Sequence, residues 1–211
     1  MPLFILQRIL STLPVMGFVA LIVFLLLRIS GDPAAILAGD TASLEQVEKV
    51  RQSLGLDRPV AVQFFEWFGR LLRGDLGTSL FTGLPVSTLI GQRLEPTLFL
   101  ATTTILFSIA VAVPLGVLAA WKAGTWVDRL VMLLAVVGFS VPVFVMGYFL
   151  IFGLAISMRW FPVQGYVSPF VDFSRFVNTI TLPTLTLSCI YVALIARITR
   201  ASVSTVSYTH L

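Results

Sequence analysis

Charge is scarce in this chain. Of 211 residues, 14 are Lys or Arg and 10 are Asp or Glu, 11% in all, against about 25% in an ordinary soluble domain. Too few ionised groups remain to coat a water-facing surface, which excludes a typical soluble enzyme and a disordered chain. Cysteine is scarcer still. Cys189 stands alone, so neither a disulfide framework nor a thiolate metal site is expected, and its place inside an apolar stretch reads as a small packed residue. His210 is the one histidine. No HExxH, GxSxG, CxxC or P-loop pattern occurs, which removes the sequence signals of zinc hydrolysis, serine hydrolysis, dithiol exchange and nucleotide binding. Catalytic residues, metal ligands and cofactors are all expected to be absent.

What the chain does have is apolar length. Hydrophobic residues make up 57% and aromatics 12%, with a mean hydropathy of +0.98. The charges leave four uncharged stretches, 9–27, 96–121, 130–158 and 176–196, of 19, 26, 29 and 21 residues. A hydrocarbon core of roughly 30 Å needs about 20 helical residues, so each stretch can span it. The predicted solvent is lipid, and the predicted fold class is an all-α membrane protein with four transmembrane helices and a helical extracytoplasmic segment.

The first stretch is too long for a usual signal core. Arg28, Ile29 and Ser30 follow it instead of a small-x-small cleavage site, which predicts a retained helix. Residues 30–95 read as an exposed or interfacial region, opened by the turn residues Gly31, Asp32, Pro33, Gly39 and Asp40. Ser43 and Gln46 have capping-box spacing, Leu44, Val47, Val50 and Leu54 recur at helical period, and Gly55 is placed to end that helix. A second helix begins near Pro59, carries Val60, Phe64, Trp67, Phe68, Leu71 and Leu72, and stops at Gly74. Its aromatic amphipathic face suits a membrane interface, the flank of a bundle or plain packing. Two turns, 74–77 and 82–85, then lead to a short helix over 85–93, and Pro96 begins the second span.

The later spans are predicted at about 97–120, 130–157 and 177–196. Pro114, Pro142 and Pro183 lie inside them; each frees a backbone carbonyl that neighbours or water must satisfy. The third stretch, roughly 43 Å long as a straight helix, must tilt or protrude. Trp121, Trp126, Trp160, Phe161 and Tyr166 stand at span ends, where amphipathic rings favour the interface. With the N-terminus inside, five basic residues flank spans on the cytoplasmic side (Arg8, Lys122, Arg129, Arg197, Arg200) against four outside (Arg28, Arg93, Arg159, Arg175), which favours a cytoplasmic N-terminus. The net charge of +4 comes from singly scattered basic residues, with no basic stripe for nucleic acid. Charge-free span interiors also lack the relays of proton pumps and many ion-coupled carriers. A passive pore, an assembly subunit and a translocation subunit driven by a separate motor all remain open.

Ordered fragments carry a resemblance. They are Gly31, Asp32, Pro33, Ala34; Leu54, Gly55, Leu56, Asp57, Arg58, Pro59; Leu72, Arg73, Gly74, Asp75, Leu76, Gly77, Ser79; and Arg93, Leu94, Pro96, Thr97. Pro114, Leu115, Gly116; Asp128, Arg129; Ser140, Val141, Pro142, Phe144; Leu182, Pro183; and Ala196, Arg197, Thr199, Arg200, Ala201, Ser202 complete them. In this order and spacing the chain resembles, from position 4 to about 203, the permease subunits of bacterial ABC importers for oligopeptides, dipeptides and nickel. The resemblance implies a bacterial inner-membrane permease that forms part of a path for peptides or chelated nickel. It implies three kinds of partner: a second permease subunit, cytoplasmic ATP-binding subunits that hydrolyse ATP, and an extracytoplasmic solute-binding protein. The chain itself is then no enzyme.

The resemblance divides the chain into a first span (1–29), an extracytoplasmic segment (30–95) and a partial type-1 transmembrane core (96–203). It places Ser140, Pro142, Tyr148, Thr184 and Ser188 as path-lining candidates beside helix packing, and Arg200, Ala201 and Ser202 at the start of a cytoplasmic coupling loop. Residues 204–211 depart from the family, which continues into a coupling helix and two more spans, so an incomplete permease with a non-family tail is expected. The rival reading is a structural or assembly subunit with no path of its own.

Overall fold

The computed structural model describes residues 2–29, 31–39, 41–79 and 81–210. The turn expected to include Asp40, Ser30 after the first stretch and the final Leu211 lie outside the described residues, as do the side chains of Arg28 and of residues 206–210. Eight α-helices are described: α1 (Pro2–Ile29), α2 (Pro33–Ala38), α3 (Leu44–Ser53), α4 (Val60–Leu72), α5 (Val86–Trp121), α6 (Trp126–Ser140), α7 (Val143–Leu150) and α8 (Phe173–His210). A π-helical segment, Ile151–Ser157, continues α7. Two compact units divide the chain at Gly91 and Gln92.

In the first unit α1 is apolar along its length, with Leu10, Phe18 and Leu26 among many exposed side chains, as a lipid-facing helix requires. Local chemistry sets the boundaries of the next three helices. Asp32 caps α2 by accepting from the Ala34 N–H at 3.0 Å, with Pro33 in the first turn. Ser43 and Gln46 form the expected capping box on α3. Gly55 (φ +65°) reverses the chain after α3, its N–H donating to the Gln52 carbonyl and that of Leu56 to Arg51. Gly74 (φ +80°) repeats the motif after α4, with Asp75 donating to Arg70. Gln63, buried in α4, donates to the carbonyls of Leu56 (3.2 Å) and Arg58 (2.6 Å) and holds the α3–α4 connection. The two expected turns over 74–85 close into one small loop, in which Val86 donates to Gly77 and Ser79 to Leu84.

From Val86 onward three expectations change. The helix expected over 85–93 and the second span are one 36-residue helix with Pro96 and Pro114 inside it. Pro96 removes a single hydrogen bond, and the helix formers Arg93, Leu94 and Glu95 before it carry the helix through. Thr97 Oγ1 meanwhile binds the Arg93 carbonyl at 2.7 Å. The third stretch is not one tilted helix. Pro142 drives Val141 out of the helical region (ψ 124°), and the segments on either side are bent by 103°. The fourth helix runs from Phe173, capped by Asp172 accepting the Arg175 N–H at 3.0 Å. It continues straight through the positions expected to begin a loop, because no glycine or proline follows Pro183. Three described helices are long and apolar enough to cross a membrane, or four if the bent pair counts as one span.

Candidate functional site

The second unit is held together by small and hydroxyl residues. On α5, Thr104, Ser108, Ala112 and Gly116 are buried at four-residue spacing, one row along the helix face. On α8, Phe176, Ile180, Thr184, Ser188 and Ala196 keep the same period and are also buried. Rows of this kind let helix backbones approach closely. A Cβ added at Gly116 would stand 2.7 Å from the Ala196 carbonyl oxygen and 2.6 Å from Thr199 Cβ. Thr103 and Thr184 share a hydroxyl hydrogen bond of 2.9 Å, and the Ser188 hydroxyl donates to the Thr104 carbonyl at 3.4 Å. The Thr104 and Ser108 hydroxyls, both buried in this seam, have no hydrogen-bond partner among the described residues.

The bend between α6 and α7 packs onto the other side of α8. A Cβ at Gly138 would lie 3.2 Å from the Cys189 carbonyl oxygen, and one at Gly147 3.2 Å from Thr186 Cγ2. Between α5, α6, α7 and α8 lies an apolar cavity of about 380 Å³, lined by Phe107, Leu115, Gly138, Met146, Leu150, Ser188 and Cys189 among others. A smaller one of about 210 Å³ is lined by Ser140, Phe139, Leu194 and Arg197, and the Arg197 guanidinium stands 6.0 Å over the Phe139 ring.

The path-lining candidates therefore have different surroundings. Ser140 and Pro142 are exposed at the bend, and Tyr148 is 71% exposed on α7. Thr184 and Ser188 are buried against α5, and Ser188 also borders the larger cavity. Ser140 and Ser188 line different cavities. Ala201 and Ser202 are exposed on α8, within the helix and not in a loop.

Arg200 has a partner that the sequence does not announce. Its guanidinium forks onto the Asp128 carboxylate, Nη2 to Oδ2 at 2.6 Å and Nε to Oδ1. Asp128 lies in the first turn of α6, 5% exposed, and also accepts the Gly124 N–H at 3.0 Å. One carboxylate thus holds the turn that precedes α6 and pins the far part of α8 to the first turn of α6. The two residues are 72 apart and lack any helical or turn spacing that would pair them. At another place, Tyr166 donates to Glu95 at 3.0 Å, above a ring cluster in which Phe99 and Phe176 centroids are 5.3 Å apart. Burial, and then that carboxylate acceptor, push the Tyr166 phenol above its ordinary range. No group of three or more His, Cys, Asp or Glu side chains that could hold a metal ion is present among the described residues.

This arrangement is one of closely packed helices, with the third apolar stretch broken at Pro142. Residues 1–101 match the family described as the N-terminal part of the binding-protein-dependent transport system membrane component. Over 203 residues the chain is 50% identical to a probable peptide ABC transporter permease protein of Sinorhizobium fredii, covering 96% of this chain and 65% of that one. The chain belongs to the ABC transporter permease family. A putative peptide transport system permease protein of Brucella abortus is 40% identical over 199 residues, 93% of this permease and 63% of the relative. A glutathione transport system permease protein of Salmonella paratyphi A is 37% identical over 200 residues, 94% and 63% of the two chains. The permease thus spans a little under two thirds of the length of these relatives. It is a multi-pass membrane protein, and the seams, bend and cavities above belong to its membrane part.

Proposed function

We propose that the chain supplies part of the passage through which an ABC importer carries peptides across the bacterial inner membrane. The observation that carries this reading is the 50% identity to a peptide permease over 203 residues. The glutathione system permease at 37% identity also handles a small peptide by its name, which favours peptides over chelated nickel. In this reading ATP-binding subunits on the cytoplasmic side hydrolyse ATP, so the chain itself is no ATPase. A second permease subunit completes the passage, and a solute-binding protein delivers the cargo. The N-terminus is cytoplasmic, residues 1–29 form the first span, 30–95 lie outside and 96–203 form a partial core. Arg200, Ala201 and Ser202 then stand at the cytoplasmic end of α8, where helix movement would meet the motor.

The bend at Pro142 supports a moving part. Its two arms touch α8 through glycines, and packed helices with such small contacts slide or rock as rigid bodies. The exposed Ser140, Pro142 and Tyr148 are the path-lining residues of this proposal, whereas Thr184 and Ser188 line it only if α5 and α8 separate. Cysteines placed at Ser140, Tyr148, Thr184 and Ser188, in a Cys189→Ser background, test it in cells that take up a labelled dipeptide. A membrane-impermeant thiol reagent should modify positions 140 and 148, and added peptide should change the rate. Protection at all four positions with and without transport would instead leave a structural subunit.

A further inference from the structure

The groove between α3 and α4 in the first unit differs in chemistry from the apolar cavities of the second. It encloses about 490 Å³ and is lined by Gly55, Arg58, Phe65, Glu66, Arg70 and Arg73 among others. Three guanidinium groups face one carboxylate. Arg58 binds Glu66 at 2.7 Å, and neither Arg70 nor Arg73 forms an ion pair among the described residues. All three arginines are exposed. Arg70 follows Glu66 by four residues, on one stripe of α4, and Arg73 caps the end of that helix seven residues after Glu66.

A different stripe of α4 fixes its depth. Phe64 and Trp67 pack on Phe24 of α1, with ring centroids 5.4 and 5.8 Å away. Phe24 lies three residues before the end of the Leu6–Leu27 apolar span, about 4.5 Å of helix rise. The helix α4 is therefore held where hydrocarbon gives way to headgroups. Phe65, 70% exposed, and Leu72, 73% exposed, add apolar surface beside the arginines. An aromatic amphipathic helix with basic residues at that height has the make-up of an interfacial helix.

We propose that the groove of Arg58, Arg70 and Arg73 seats the phosphate of an anionic phospholipid headgroup. A planar guanidinium fork matches phosphate oxygens in pairs, and Phe65 supplies the wall along which the glycerol and upper acyl chain lie. The depth set by Phe24 is what selects a lipid over an acidic protein surface, which needs the charges but not the position. The inference rests on the chain lying in a membrane and not on its carrying peptide.

The test uses the full chain in detergent, titrated with phosphatidylglycerol or phosphatidylcholine and followed by native mass spectrometry of retained lipid. The unaltered chain should retain phosphatidylglycerol in preference, and 0.5 M salt in the preparation should remove the preference. The double variant R70A/R73A should weaken retention about thirtyfold, taking about 1 kcal/mol for each basic residue. R70K/R73K should restore most of it, with circular dichroism unchanged in both. Equal retention of the two lipids by the unaltered chain, retention indifferent to salt, or an R70A/R73A variant that holds phosphatidylglycerol as before would each overturn the proposal. So would loss of binding to a solute-binding protein with lipid retention intact, which would assign the arginines to an acidic protein surface. Because the readout is retained lipid, a chain that fails to transport peptide leaves this inference standing, and the converse holds too.

Discussion

Asp128 and Arg200 form a two-pronged ion pair that ties the first turn of α6 to α8, 72 residues later in the chain. The carboxylate is nearly inaccessible and the guanidinium side chain is 33% exposed. It is the ion pair with the least exposed carboxylate among those described, and it joins the two helices that also flank the larger cavity.

Removing one partner leaves the other charge without its ion pair. Breaking a fully buried pair costs about 3–5 kcal/mol, and partial exposure of Arg200 lowers the expectation for Asp128→Asn or Arg200→Ala to about 2–3 kcal/mol. Thermal unfolding in detergent should fall by roughly 4–12 °C for a chain of this size. The double variant Asp128→Leu with Arg200→Met should recover most of the loss, since matched apolar replacements of buried pairs are often neutral. No recovery in the double variant would count against the pair as the cause.

Among the glycines of the second unit, Gly116 has the closest neighbours on another helix. The added methyl of Gly116→Ala meets the Ala196 carbonyl at 2.7 Å, backbone that cannot rotate aside, so α5 and α8 must part at about 1–3 kcal/mol. Gly91→Ala, also in α5 with nothing within 4 Å, should be neutral or stabilising by about 0.5–1 kcal/mol. Equal melting temperatures for the two variants would refute the close approach.

Tyr166 lies outside the membrane-spanning segments, and its phenol is held protonated beyond the ordinary value of 10.0 by burial and by Glu95. The fold favours the neutral form. Its contribution to stability is complete below pH ~10 and is lost as pH rises from there through the higher folded value. In an absorbance titration, Tyr166→Phe should delete a step of tyrosinate formation that lies above the ordinary phenol range. Loss of a step at or below the ordinary value would contradict the hydrogen bond from Tyr166 to Glu95.

The bend at Pro142 can be measured directly. Spin labels at the exposed positions Leu133 and Ile156 would stand about 35 Å apart on one straight helix, but only about 22 Å apart across a 103° bend. A pulsed dipolar distance near the longer value would restore the single tilted span.

Much of the fold was legible because its signals are local. The capping box of Ser43 and Gln46 and the left-handed glycines Gly55 and Gly74 need only a few neighbouring residues to act, and the structure places each helix end where they stand. Pro142 shows where such reading fails. A proline in an apolar stretch can begin a span, kink it or break it, and the outcome depends on what satisfies the freed backbone. Pro96 rides inside a continuous helix and Pro142 splits one, a difference that residue type does not encode. The candidate site divides in the same way. The sequence offers Thr184 and Ser188 as path-lining candidates, yet their burial against α5 follows from packing rows on two helices some 80 residues apart.

By itself the sequence determined that lipid is the solvent, since so few charges leave long helices no other medium, and it determined most of the helix ends, because caps act within one turn. Only the tertiary structure decided that Asp128 meets Arg200, that Gly116 lets α5 touch α8, and that the third stretch bends. Those outcomes rest on contacts between helices distant in the chain, and distance along the chain carries no information about which carboxylate a guanidinium will reach.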